Sequence, residues 1–182
     1  MKMKFISIDP SLSNLGIVRG EIINDKLILE SHTLVSTEKS KNKTIRVSSD
    51  TIQRSRFLLT AIKTVIEDFK PQIIFAETPS GSQSASGMLS YGISCCIIAS
   101  CNPPAIELTP VEVKKHTVGT KTASKKEIIE YVNNKYPGFL ETKKDGSVVE
   151  GRMEHIADAV CIAEAGLKSD QYKQIKSYLN NN

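Results

Sequence analysis

The opening of the chain restricts the fold more than any other part, because strand patterns follow one another there with no room for a helix between them. The stretch "ISIDPSLSNLGIVRG", Ile6 to Gly20, runs from apolar residues into a lone acid, Asp9, and breaks at Pro10. After a Ser/Asn-rich turn it becomes apolar again at Leu15-Gly16-Ile17-Val18. Met3 to Asp9 and Leu15 to Ile23 therefore read as strands, and Lys26 to Glu30 begins a third after an Asn24-Asp25 turn. A three-stranded antiparallel meander is expected. A carboxylate at the end of a buried strand is costly unless it is paired or binds a metal, so Asp9 asks for a partner.

The rest alternates. Ser36 to Ser49 is polar and carries Lys39, Lys41, Lys43 and Arg46, a solvated loop or a DNA-contacting one. Asp50 reads as the N-cap of a long helix with Ile52, Leu58, Leu59, Ile62, Val65, Ile66 and Phe69 at helical spacing. Pro71 ends it, and Gln72 to Glu77 is a short buried strand that again finishes on an acid. A Ser/Gly loop from Thr78 to Gly87 leads to a helix rich in small residues, about Met88 to Ser100. Ala105 to Thr109 is a further strand, Pro110 opens a helical turn through Lys115, and Ser124 caps a helix to about Tyr136. A polar loop from Pro137 to Gly151 precedes a last helix, Met153 to Leu167, and a polar tail from about residue 168 to Asn182 with helical potential. No linker or repeat divides the chain, so one domain over residues 1–182 is expected, an α/β fold with a mixed five-stranded sheet and helices on both faces.

Composition narrows the function. A formal net charge of +4 suits a polyanionic partner, while an aromatic content of 5% with no Trp argues against broad base-stacking platforms. Cys95, Cys96, Cys101 and Cys161 lack paired metal spacing; the first three read as small buried residues. The apolar run Ile93 to Ala99 is too short to cross a membrane, and nothing resembles a signal peptide. A soluble, reduced, cytoplasmic protein with no membrane partner is expected.

Asp9 and Glu77 both stand at the C-terminal ends of expected strands, where α/β sheets bind ligands. In "EHIADAVCIAEAG", His155 and Asp158 share one helix face, with Ile156, Ala159, Ile162 and Ala163 on the packing side. Three converging carboxylates repel one another unless a hard cation joins them, and Mg²⁺ takes oxygen ligands. Two such ions, about 4 Å apart, can activate a water and stabilise the leaving oxygen of a phosphodiester. Asp9, Glu77, His155 and Asp158 are thus candidate metal ligands, with Mn²⁺ able to substitute because imidazole suits it. Lys114, Lys115, Lys121, Lys125 and Lys126 form a dense cationic group suited to phosphates, and His116 reads as a surface residue.

These residues resemble the RuvC-type Holliday-junction resolvases of the RNase H-like superfamily. "ISIDPSLSNLGIV" is similar to the family's opening strand-turn-strand, "IIFAE" to the strand bearing the second acid, "VKKHTVGTKTASKKEII" to its VK…VG…A-x-K segment, and "HIADAV" to its last motif. The resemblance spans about Lys4 to Gly166 and implies an RNase H-like fold and a Mg²⁺-dependent homodimeric endonuclease. The expected activity is nicking of branched DNA, above all four-way junctions, with Lys125 and Lys114 as basic catalytic positions. His155 stands where many members carry Asp, and the small-residue helix near Met88 is the expected interface element. In "TPSGSQSAS", Ser80 occupies the approximate place of an aromatic wedge and cannot stack; Ser80 and Ser82 are expected on the DNA face. The Lys/Asn/Ile-rich composition is compatible with a phage-encoded or low-GC bacterial version. The rival readings are an RNase H-like nuclease of other specificity (flap, fork or RNA–DNA hybrid) and a non-catalytic junction-binding protein.

Overall fold

The computed structural model describes residues 2–180. The opening meander consists of β1 (Lys2–Pro10), β2 (Asn14–Ile23) and β3 (Lys26–Ser36), antiparallel throughout. Asn24 and Asp25 both take positive φ, 51° and 62°, the backbone that a two-residue hairpin matched to strand twist demands. β3 runs on to Ser36, well past the alternating residues that announce it. The remaining elements are α1 (Val47–Phe69), β4 (Ile73–Glu77), α2 (Ala85–Ala99), β5 (Ala105–Leu108), α3 (Pro110–Thr117), α4 (Lys125–Lys135), α5 (Glu150–Gly166) and α6 (Asp170–Asn180). β4 and β5 add in parallel beside β1, giving the order β3-β2-β1-β4-β5.

Alternation along the strands assigns the two faces. Ile6, Ile8, Leu15, Ile17, Ile74 and Ala76 point to the side covered by α1 and α2, joined by Leu58, Ile62 and Ile97. Met3, Phe5, Val18, Ile22, Phe75 and Ile106 point to the other, where Val113 of α3, Ile128 and Val132 of α4 and Ile156, Ala159, Val160 and Ala163 of α5 cover them. Asp9 and Glu77 fall in phase with Phe5 and Phe75, so both acids face α5.

Helix α5 packs directly against the sheet, and two glycines permit it. A Cβ on Gly16 would stand 2.3 Å from the backbone oxygen of His155, and one on Gly166 would stand 2.2 Å from the Phe75 ring. Gly16 is the cross-strand partner of Asp9, so it sets the depth at which the helix meets the acid. Gly16→Ala must push backbone rather than a flexible side chain. It is expected to destabilise the protein by roughly 1–3 kcal/mol and to cut activity by more than that stability loss explains. Melting temperature and nicking rate, measured together, check this; wild-type values for both would remove Gly16 from the site's architecture.

Several expected features differ. α1 begins at Val47, not after Asp50, and Arg46 in the cap position makes no side-chain capping bond. Asp50 is instead buried in the first turn, where it accepts a 3.1 Å bond from the Ser40 backbone N–H. Ile52 is 56% exposed, because the buried stripe of α1 runs through Leu58, Ile62 and Ile66. α2 begins at Ala85, three residues before Met88, since the Ser84 side chain accepts from the Gly87 N–H. Of the cysteines expected to be buried, Cys101 is, Cys95 is half-buried and Cys96 is exposed; α2 turns Ser94, Ile97 and Ile98 inward instead. The polar tail forms α6, anchored by buried Tyr172, whose hydroxyl donates to Asp25 at 3.0 Å; residues 181–182 lie outside the described residues. Among the described residues, no helix is long and apolar enough to cross a membrane.

Candidate active site

The parallel β1–β4 register pairs Ile8 with Ala76, so Asp9 and Glu77 leave the sheet side by side. α5 then crosses above them. Its helical spacing puts His155 and Asp158 on the face toward the strand ends, while Ile156, Ala159, Ile162 and Ala163 are buried as expected. His155 Nδ1 and Asp9 Oδ2 are 2.6 Å apart. One ligating atom from each of Asp9, His155 and Asp158 falls within 4.8 Å of the others, a spacing one cation can bridge. Glu77 stands beside this trio rather than within it.

The electrostatics are those of a site short of positive charge. Burial pushes the Glu77 carboxyl up to about 8, the charges of Asp9 and Asp158 push the same way, and Lys114 opposes them. Asp158 is raised to about 7, first by burial and then by Asp9 and Glu154, against the pull of His155 and Lys125. The hydrogen bond to Asp9 raises His155 above its ordinary value, against burial, with the charges of Asp9, Glu154 and Asp158 adding to the rise. Carboxylates that retain protons near neutrality, and an imidazole whose affinity for a proton is raised, mark a cluster whose negative charge the protein leaves uncompensated. A hard divalent cation fits this donor set of carboxylate oxygens and one imidazole.

The lysines divide. Lys125 opens α4 directly after a capping box formed by Ser124 and Glu127. It pairs with Glu154 and feels the charges of Asp158 and Asp9. Lys114 acts on Glu77 from α3. Both expected basic positions thus sit beside the acids. Lys115 and Lys121 are exposed, and Lys126 pairs with Glu130 one turn further along α4 at 3.8 Å, so none of these three is brought to the acids as Lys114 and Lys125 are. Ser80 is exposed at the loop tip. Ser82 turns inward, its hydroxyl accepting from the Ser84 backbone N–H at 3.2 Å to shape the start of α2.

Two contributors escaped the sequence reading. Glu154 precedes His155 and lies one helical turn from Asp158, a spacing that could have flagged it as the anion that positions Lys125. Gly16 carries no chemistry, and only the packing of α5 exposes its role.

No protein-family model matches the chain. Curated relatives do. The chain is 28% identical over 173 residues to the crossover junction endodeoxyribonuclease RuvC of Prochlorococcus marinus subsp. pastoris, covering 93% of this chain and 99% of that one. To the RuvC of Pseudothermotoga lettingae it is 29% identical over 130 residues, 69% of this chain and 75% of the relative. Among solved structures, the Thermus thermophilus RuvC in complex with Holliday junction substrate superposes with a TM-score of 0.63 at 20% identity, covering 90% of this chain and 92% of that one. The yeast mitochondrial Holliday junction resolvase Ydc2 gives 0.62 at 17% identity, over 97% and 81%. Similar in sequence to RuvC proteins along nearly its whole length and superposing on resolvase structures over nine-tenths of it or more, the chain resembles the RuvC-type resolvases and shares their fold.

Proposed function

We propose that this protein is a metal-dependent, structure-specific DNA endonuclease that resolves Holliday junctions. The observation that carries the reading is the convergence of Asp9, His155 and Asp158 within 4.8 Å, with Glu77 alongside, at the strand ends of a RuvC-like sheet. Asp9, His155 and Asp158 would hold one divalent ion, and Glu77 with Asp9 a second; Mg²⁺ is the expected ion, with Mn²⁺ as a substitute. Such ions supply a water activated near neutral pH and charge neutralisation on the scissile phosphate. The chain's own residues do the rest. Asp9 and Glu77 fix the cleavage position at the sheet edge, and burial beneath α5 limits water around the carboxylates. Lys125 and Lys114 offer positive charge to the phosphate as negative charge builds on it. Glu154 holds the Lys125 ammonium at the rim before DNA arrives.

Paired cuts on a two-fold junction need two sites, and a homodimer supplies them. The outward face of α2 supports that reading: Met88 and Leu89 are 47% and 44% exposed, and a Cβ on Gly92 would meet nothing within 4 Å.

Ser80 has no ring to wedge between bases, and base–aromatic stacking is worth roughly 1–3 kcal/mol per base. Selection by unstacking is therefore expected to be weak, with several branched structures cut and little sequence preference. The test is a panel of labelled four-way junction, flap, linear duplex and RNA–DNA hybrid with Mg²⁺. Symmetric nicks in the junction, weaker cutting of the flap and none of linear duplex or hybrid are expected. Cleavage of hybrid alone would replace the resolvase reading with an RNase H one.

A further inference from the structure

The segment between β3 and α1 carries Lys39, Lys41, Lys43 and Arg46 against one acid, Glu38. All four cations are exposed, and none makes an ion pair among the described residues. The segment is nonetheless held firmly. Thr37 N–H donates to Ser13 O at 2.8 Å and its hydroxyl to Leu12 O at 2.6 Å. Arg54 of α1 donates to Thr37 Oγ1 at 3.0 Å and to Leu12 O at 3.2 Å. Buried Asp50 accepts from Ser40 N–H, and Asn42 accepts from Thr44 N–H and Oγ1–H at 3.0 and 2.8 Å. These bonds tie the cationic segment to the β1–β2 turn, three residues beyond Asp9. They also place it at the same sheet edge, since Ser36 pairs with Asn14 there.

The acids consequently lie between two cationic flanks. Lys114 and Lys125 border them from α3 and α4, and the 39–46 segment lies on the β3 side. β3 is two strands from β1, roughly 10 Å at the usual strand spacing. Duplex DNA carries one charge per about 1.7 Å of axis, so an arm leaving the acids toward β3 brings several phosphates over the segment.

We propose that residues 39–46 are a docking surface for the phosphate backbone of a duplex arm that flanks the cleaved strand. The inference rests on the nuclease reading and adds to it a place and a job: the segment sets the direction of the arm and contributes affinity, with no part in bond cleavage. Its contacts are to backbone charge, so it carries no sequence preference.

The experiment measures binding of a four-way junction in EDTA across a salt series, then single-turnover cleavage at saturating DNA with Mg²⁺. The variant replaces Lys39, Lys41, Lys43 and Arg46 with Gln; because all four side chains are exposed, its melting temperature should stay within a few degrees of wild type. Each lost phosphate contact flattens the log–log salt slope by about 0.9. The fourfold variant should lose about 3.6 from the slope and at least tenfold in affinity at moderate salt, while its cleavage rate at saturation is unchanged. A matched pair of variants guards against a general charge effect. Lys41→Gln/Lys43→Gln should flatten the slope by about 2, and Lys26→Gln/Lys70→Gln, at the opposite sheet edge, should leave it unaltered. Equal losses from both pairs, or a fourfold variant with wild-type slope and affinity, would overturn the docking surface. Wild-type protein that failed to bind junctions at all would instead overturn the nuclease reading beneath it.

Discussion

Asp9→Asn, Glu77→Gln and Asp158→Asn are each expected to slow nicking by at least roughly 10²–10³-fold, the cost of removing one preorganised charge-stabilising group, while junction affinity in EDTA stays within about threefold. The separation follows from where charge sits. The acids face inward under α5 and repel a phosphate, so they add nothing to affinity, which rests on the lysines and falls steeply with salt. Each amide keeps the shape of its acid but neither binds a cation well nor carries charge. Single-turnover cleavage and a binding titration, run on the same preparations, measure the two halves independently. An Asp9→Asn protein that cut at the wild-type rate in Mg²⁺ would move the site elsewhere. Lys125→Ala should do less damage than any acid variant, because Lys114 still offers a charge to the phosphate.

The second large effect is an inverted pH dependence of stability in metal-free protein. Glu77 titrates near 8 when folded against an ordinary value of 4.5, and Asp158 near 7 against 3.8. Between those values the folded chain binds protons that the unfolded chain has released, so stability falls as pH rises. His155 acts in the same direction. The contribution from its raised folded value is complete below the ordinary value of 6.5 and is lost as pH climbs through the folded one. Shifts of this size correspond to a few kcal/mol at about 1.4 kcal/mol per pH unit, or on the order of 5–10 °C in melting temperature for a chain of this length. In EDTA the melting temperature should therefore drop from mildly acidic pH to pH 8. Saturating Mg²⁺ should restore it at pH 8 and do little at acidic pH, where protons hold the ligands. Mn²⁺ should restore it at lower concentration, given the imidazole. Glu77→Gln and Asp158→Asn should flatten the metal-free curve. Calorimetry with and without metal decides; a metal-free wild type that grew steadily more stable toward pH 8 would show that the carboxylates are not held under strain.

How far the sequence revealed this arrangement depends on the range of each signal. Local signals read well: the Asn24-Asp25 hairpin, the helix cap at Ser124, and two strands that carry Asp9 and Glu77 at their C-terminal ends. The offset between His155 and Asp158 also survived intact, because a helix fixes it. What depends on distant partners did not. Asp50 has the chemistry of a cap, but a loop ten residues upstream uses its carboxylate, so α1 starts earlier. Ile52 fits a helical stripe, yet the stripe of α1 that packs on the sheet runs through Leu58, Ile62 and Ile66. Tyr172 sits in a polar tail and becomes core only because Asp25 and the sheet meet it. Glu154 gains its role from Lys125, brought by a different helix, and Gly16 from a backbone oxygen of α5.

The short contact between Asp9 and His155 joins residues 146 positions apart, and this separation has a consequence in time. Closing so long a loop costs entropy that only the finished core returns. During synthesis the meander and Asp9 leave the ribosome first and Glu77 follows, but α5 arrives only after α4. Until then the strand ends hold two acids with neither imidazole, third carboxylate nor lid, and Lys125 lacks the Glu154 that holds it in place. A growing chain is thus unarmed while most of its sheet can already form. On the proposed reading, cutting is confined to molecules in which α5 has docked.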